Sequence, residues 1–255
     1  MKSANSRAGH ICSRTLWLLL ALVFLSRNAG GAEQPLQTDQ GMLWQLQSPT
    51  GLVSHLYGTI HVGEPSVLAL PTPVAEAFAE AQTLVVEVVI TAADRQRFVE
   101  RMRLGGGKRL VQLVGESLYA RVLHAAHYRE LDRPLSRLQP WAVAIMLFSP
   151  RPTGLPVLDT ALQEQARRAA KKIVPLESLD EQLAVFEEMQ LADQIDLLHE
   201  AVLASLEFDV YYGELLVAYL DRDLGRLQQL ASLHLAQDTR LKQSLQVRLV
   251  EQRNQ

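Results

Sequence analysis

Apolar and polar residues alternate from Met42 to Gln47 and again from Leu52 to Ile60, on either side of the turn-forming stretch Ser48-Pro-Thr-Gly51. The pattern predicts a β-hairpin. Pro71 to Ala81 then places Val74, Ala77 and Phe78 on one face of a helix. This helix leads into Leu84-Val-Val-Glu-Val-Val-Ile90, an almost unbroken apolar run of the kind found in strands covered on both faces.

Thr91-Ala-Ala-Asp94 is a capping-box pattern that opens a second helix, and Gly105-Gly-Gly107 ends it. Helical periodicity dominates afterwards: Glu116 to Arg129, Leu138 to Phe148, Leu158 to Ala170, Leu179 to Met189, Leu191 to Asp221 and Leu224 to Gln252. Lys172 to Leu176 is a short β interruption. Ser178-Leu-Asp-Glu181 forms a second capping box, with Leu179, Leu183 and Phe186 on one face behind it. The pattern predicts an α/β (α+β) domain with a small central sheet and a large helical portion.

The first residues have another character. Lys2, Arg7 and Arg14 precede an apolar run from Leu16 to Leu25, and Ala29, Gly30, Gly31 and Ala32 follow it. That order is expected of a signal peptide over residues 1–32, and the apolar run is shorter than the ~20 residues of a membrane span. Residues 33–255 are then one exported domain, periplasmic or secreted, with no repeat or low-complexity linker to divide it. Cys12, the only cysteine, falls in the segment to be removed, so neither a disulfide nor a thiolate is expected in the mature chain. Processing removes four basic residues and no acid, leaving 21 basic residues against 28 acidic and a net charge of −7. An acidic chain without a basic cluster is a poor match for nucleic acid, whose binding requires phosphate neutralisation.

His61 and Glu87 are the most informative polar residues. His61 closes Leu56-Tyr-Gly-Thr-Ile-His-Val-Gly63, and Glu87 interrupts an apolar run. Both are expected near carboxyl ends of strands, where open α/β sheets bind ligands. A carboxylate there needs a metal, an arginine or backbone donors to offset its burial. Imidazole and carboxylate together suit zinc, manganese or iron, and Gly58 and Gly63 permit close backbone approach. The other reading is that Glu87 meets an arginine or amides while His61 closes a turn. Glu177 stands before the second capping box, where a helix dipole stabilises a carboxylate with or without chemistry. His124 and His127 share one helix face, expected to be solvated. His55, His199 and His234 are isolated, and no Gly-x-Ser-x-Gly elbow supports a serine hydrolase.

Leu56-Tyr-Gly-Thr-Ile-His-Val-Gly63, Leu84-Val-Val-Glu-Val88 and Val174-Pro-Leu-Glu-Ser178 with Glu181-Gln182 together resemble the TraB/GumN family, which includes the Tiki proteases. The resemblance runs from about Leu43 to Asn254 and takes in Pro140-Trp141. It implies a divalent metal (manganese, cobalt or zinc) with His61 and Glu87 as ligands, and Gly58 and Thr59 as cofactor-contacting positions. Glu87 and Glu177 are then the catalytic carboxylates of a metal-dependent, peptidase-like hydrolase. In the family an Arg-Asn pair, resembled by Arg253-Asn254, precedes a last strand with a second Gly-x-x-His. The sequence stops at Gln255 without that motif, so the domain is expected to be truncated there and activity is open to loss. A non-enzymatic envelope protein that binds a peptide or protein partner is the alternative.

Overall fold

The computed structural model describes residues 41–131 and 134–234. The expected signal peptide, Cys12, Arg253-Asn254 and the end of the last predicted helix lie outside them. Strands β1 (Leu43–Gln47) and β2 (Val53–Tyr57) pair antiparallel, with Leu43 opposite Tyr57 and Gln47 opposite Val53. Gly51, at φ 84°, takes the left-handed conformation that the turn requires. β2 stops three residues short of Ile60. The last pairing bond runs from Gly58 N–H to the Met42 carbonyl, and the next amide, that of Gly41, donates to the Arg222 carbonyl instead. His61 therefore sits in a loop that turns into the protein.

Two short helices, α1 (Pro65–Leu68) and α2 (Thr72–Glu80), lead to β3 (Thr83–Val86), which pairs in parallel with β4 (Lys172–Pro175). The ladder continues past both strands through Leu176 N–H to the Val86 carbonyl and Glu177 N–H to the Glu87 carbonyl. The apolar run to Ile90 is thus not all strand, because the neighbouring segment turns into a helix cap at Ser178 and leaves Val88 to Ile90 unpaired as strand. Val88 packs instead against Val157, and the Gln163 amide donates to its carbonyl. Nor is this pair covered on both faces, since Val85 is 53% exposed. Among the described residues the sheet structure is two separate two-stranded sheets rather than one central sheet.

Helices α3 (Ala92–Arg101) and α7 (Leu179–Glu187) both begin with complete capping boxes, made by Thr91 with Asp94 and by Ser178 with Glu181. Helix α4 (Leu110–Tyr128) starts six residues earlier than the periodicity suggests and breaks at Gly115, whose φ of 78° and ψ of 162° suit only glycine. Helix α5 (Pro140–Leu147) is buried along its whole length and carries the core. Its Trp141 lies between Phe98 and Phe186, with ring centroids 6.5 and 6.1 Å away. Helix α6 (Leu158–Arg168) precedes β4. The long helix expected from Leu191 to Asp221 is instead two, α8 (Leu191–Ala204) and α9 (Phe208–Leu220), followed by α10 (Leu224–His234). At the break the buried Ser205 hydroxyl donates back to the Val202 carbonyl, a bond that competes with helix continuation.

The break also sets Phe208 and Asp209 against Arg129. That side chain is buried at the end of α4; it donates to Asp209 and, at 2.7 Å, to the Ser149 carbonyl, and its guanidinium lies 4.3 Å from the Phe208 ring centroid. Arg151 reaches the same Asp209 at 3.3 Å. One arginine thereby joins the ends of α4 and α5 to the start of α9. Arg129→Ala removes these bonds and leaves a void, and is expected to lower unfolding free energy by about 2–4 kcal/mol. Arg129→Lys, which lacks the planar fork, is expected to recover only part of that. Urea denaturation of the three proteins checks the ranking.

Candidate functional site

The site begins with the loop from Gly58 to Gly63. Ile60, His61 and Val62 are all buried there, over a small core that includes Met42, Val67, Leu158, Leu162 and Tyr219. Residues 153–158 clamp the loop from the far side: Thr153 donates its hydroxyl to the Gly63 carbonyl at 2.6 Å, and Leu158 N–H donates to the Val62 carbonyl at 3.2 Å. A Cβ at Gly63 would stand 2.7 Å from the Leu155 carbonyl oxygen and 2.9 Å from that of Pro156. Position 63 must therefore be glycine for the two chains to approach. At Gly58 the atom met, 2.7 Å away, is the mobile tip of Met42, a softer restriction.

This clamp delivers Asp159, in the first turn of α6, to His61. The ring donates Nδ1–H to Asp159 Oδ2 at 2.7 Å, and Thr59 donates its hydroxyl to Oδ1 at 3.0 Å. Both carboxylate oxygens are engaged, and His61 is 3% exposed. Burial of the ring opposes its protonation, but the charge of Asp159, the bond to it and the charge of Glu87 outweigh burial and raise the His61 pKa. Tyr219 closes the side near the hairpin, donating to the Gly58 carbonyl at 3.0 Å with the Tyr57 hydroxyl 2.9 Å away. Burial, the Tyr57 contact and the charge of Asp159 push the Tyr219 pKa up, so it stays a neutral phenol.

Glu87 directly follows β3, with Oε2 buried, and Glu177 directly follows β4. The parallel ladder holds their backbones together. Gln182, buried in α7, donates to Glu177 Oε1 at 2.7 Å and orients that carboxylate. Of the residues the sequence singles out, His61 and Thr59 both bond to Asp159 and the charge of Glu87 acts on His61, while Gly58 serves through its backbone. His124 and His127 lie exposed on α4, His55 is exposed on β2, and His199 meets Arg121 at 3.1 Å.

Asp159 is the residue that sequence reasoning missed. A signal existed: Asp159, Leu162, Gln163 and Ala166 fall on one helical face, all buried, and an acid on a buried stripe needs a partner.

A carboxylate on Nδ1 fixes the tautomer that offers Nε2 to a metal, as in carboxylate–histidine–metal arrangements. A buried spot that favours imidazolium also favours a cation. The chemistry of the donors therefore fits a divalent ion, with His61 and Glu87 as the two that could hold it. Among the described residues no three or more histidine, cysteine, aspartate or glutamate side chains gather to complete such a site.

Fold and site together define a helix-rich α/β protein with a carboxylate-oriented histidine beside glutamates that follow a parallel strand pair. The TraB/PrgY/gumN family profile matches residues 42–255, and the chain belongs to that family. Similar proteins include uncharacterized protein YbaP of Shigella flexneri, 25% identical over 147 residues, which are 55% of this chain and 53% of that one. Uncharacterized protein YbaP of Escherichia coli strain K12 is 25% identical over 146 residues, with the same shares. The matched stretch thus spans about half the length of these relatives. No solved structure matches the chain.

Two outcomes test the clamp and the pair. Gly63→Ala, which forces Cβ against backbone, is expected to cost about 1–3 kcal/mol of stability, read by thermal or urea unfolding. Asp159→Asn is expected to lower the His61 pKa, read by NMR titration of the ring. Because the folded pKa is raised, its contribution to stability is full below the unfolded value of ~6.5 and is lost as pH rises through the folded value. Asp159→Asn should therefore weaken the protein more at pH 5 than at pH 9.

Proposed function

We propose that this protein is an exported, metal-dependent hydrolase of peptide-like substrates, using a divalent manganese, cobalt or zinc ion held by His61 and Glu87. The observation that carries the reading is the buried Asp159–His61 bond with the charge of Glu87 acting on the same ring. The chemistry such an ion supplies is Lewis acidity, polarising a carbonyl and bringing the pKa of a water towards ~7. Asp159 and Thr59 hold the imidazole in one tautomer and orientation. Glu87 serves as ligand or as the base that takes a proton from the attacking water. Glu177, held by Gln182, orients the substrate. Family membership supports this reading through its metal-dependent peptidase members. Export to the periplasm is supported by the signal-like order of residues 1–32, outside the described residues, and amino-terminal sequencing of protein from the periplasmic fraction tests it.

Titration of the purified protein with manganese, cobalt and zinc is expected to show saturable, near-equimolar binding for at least one of them. His61→Ala and Glu87→Gln should each weaken it by tenfold or more and lower peptide hydrolysis by about 10²–10⁴-fold. A protein that none of the three metals saturates would remove the reading.

A further inference from the structure

The β1–β2 hairpin has an open edge and an uncovered face. The bonds from Gly58 N–H to the Met42 carbonyl and from Ser48 N–H to the Leu52 carbonyl fix which residues of β1 are bonded to β2. Direction alternates along an antiparallel strand, so Trp44 and Leu46 turn their amides and carbonyls inward, towards Leu56 and Ser54. Leu43, Gln45 and Gln47 turn theirs outward, and among the described residues no backbone bond reaches them. Trp44, Leu46 and Leu56 share one face of the hairpin, where Leu46 is 53% and Leu56 48% exposed. A hairpin of two strands is marginal in water by itself, and only the base of this one, through Met42 and Tyr57, packs on the small core.

Open edges are normally blunted by a charge, a proline or a bulge. β4 carries two of these devices, Lys172 and Pro175. β1 carries none: it reads Leu-Trp-Gln-Leu-Gln, its register with β2 is unbroken from Leu43 to Gln47, and residues 42–63 contain no Asp, Glu, Lys or Arg. In a chain of 28 acidic and 25 basic residues, that gap in the charge bears on the choice of partner. Two-fold association brings each group near its own counterpart, so an uncharged face meets a second copy without repulsion. Lipid would accept the leucines but leave the outward amides and carbonyls unsatisfied. β1 is also complementary to itself. Antiparallel pairing about a two-fold axis at Gln45 sets Leu43 opposite Gln47 and Gln45 opposite its counterpart, and these are the residues whose backbone groups point outward. The same register sets Trp44 opposite Leu46 on the uncovered face. On the β2 edge the equivalent axis would instead oppose two copies of His55, which repel when protonated.

We propose that β1 pairs antiparallel with β1 of a second copy of this chain, so that two hairpins join into one continuous sheet and the protein is a two-fold dimer. Each copy completes the backbone bonding of the other, and Trp44 and Leu46 cover one another across the axis. The proposal is independent of the hydrolase reading.

Sedimentation velocity of the purified chain is expected to show a reversible monomer–dimer equilibrium with a dissociation constant on the order of 10 µM, in keeping with a small interface. Gln45→Lys, at an exposed position, brings like charges together at the axis and should weaken association by about tenfold or more, as should Gln45→Glu. An equimolar mixture of these two variants should dimerise again, because opposite charges then meet. An interface elsewhere would not respond in this way. His55→Lys, the same kind of change on the β2 edge, should leave the constant within about threefold, since its charge stands about a Debye length from the axis. Melting temperatures verify that each variant is folded. A chain that stays monomeric up to about 200 µM, well above that dissociation constant, would overturn the proposal. So would a dimer indifferent to Gln45→Lys, a mixture that fails to reassociate, or equal weakening by His55→Lys. Co-sedimentation of a monomeric chain with phosphatidylcholine vesicles would assign the hairpin to lipid and overturn it as well.

Discussion

The bond between His61 and Asp159 is the contact on which the arrangement of this protein depends. It joins residues 98 apart in sequence, one at the exit of the hairpin and one in the first turn of α6, and it is buried. A carboxylate and an imidazole taken out of water are tolerable only when each satisfies the other, and removing one partner of such a pair costs ~3–5 kcal/mol. Everything beside it serves the alignment. Gly63 admits the carbonyls of Leu155 and Pro156, Thr153 and Leu158 clamp the loop, Thr59 occupies the second carboxylate oxygen, and Tyr219 ties the loop to α9.

The glutamates are placed by a different device, the register of a two-stranded parallel pair. Four residue pairs would make a weak sheet by themselves. Its stability comes from the helices that leave it, since α3 and α7 each begin with a capping box within a few residues of Glu87 and Glu177. These helices are tied in turn: Arg101 of α3 reaches Glu187 and Asp180 of α7, and Trp141 lies between Phe98 and Phe186. The exposed ion pairs contribute little individually; the stacked core beneath them does most to fix the angle between the helices.

What was legible in the sequence was what local chemistry determines. The hairpin turn, both capping boxes, the buried face of α7 and the positions of Glu87 and Glu177 at strand ends follow from patterns a few residues long. Strand length was misread in two places because it depends on partners: β2 ends where the Gly41 amide turns to the Arg222 carbonyl instead, and β3 ends where its neighbour becomes a helix cap. The split of Leu191–Asp221 was hidden because both halves keep helical periodicity, and only the packing of Phe208 and Asp209 on Arg129 shows why the chain turns between them. Asp159 went unseen for a related reason. Its helix is strongly patterned, and an acid in a first turn is ordinarily explained by the helix dipole. Only the three-dimensional contact distinguishes a solvated acid from one that holds a histidine.

The same contact limits what the site can do. A ring whose Nδ1–H is committed to Asp159 meets any further partner through Nε2 alone. A divalent ion held by His61, as proposed above, would compete with a proton for that nitrogen, so its uptake would release a proton and would weaken in acid. The carboxylates act in two ways at once. The charges of Asp159 and Glu87 favour any positive species at the ring, the proton included, whereas the directed bond from Asp159 fixes the ring's orientation, which matters to an ion and not to a proton. Geometry rather than charge is what would let a metal win at neutral pH. That geometry is set by Gly63 and the Leu155-Pro156 carbonyls that it admits, so the backbone clamp controls the chemistry open to His61.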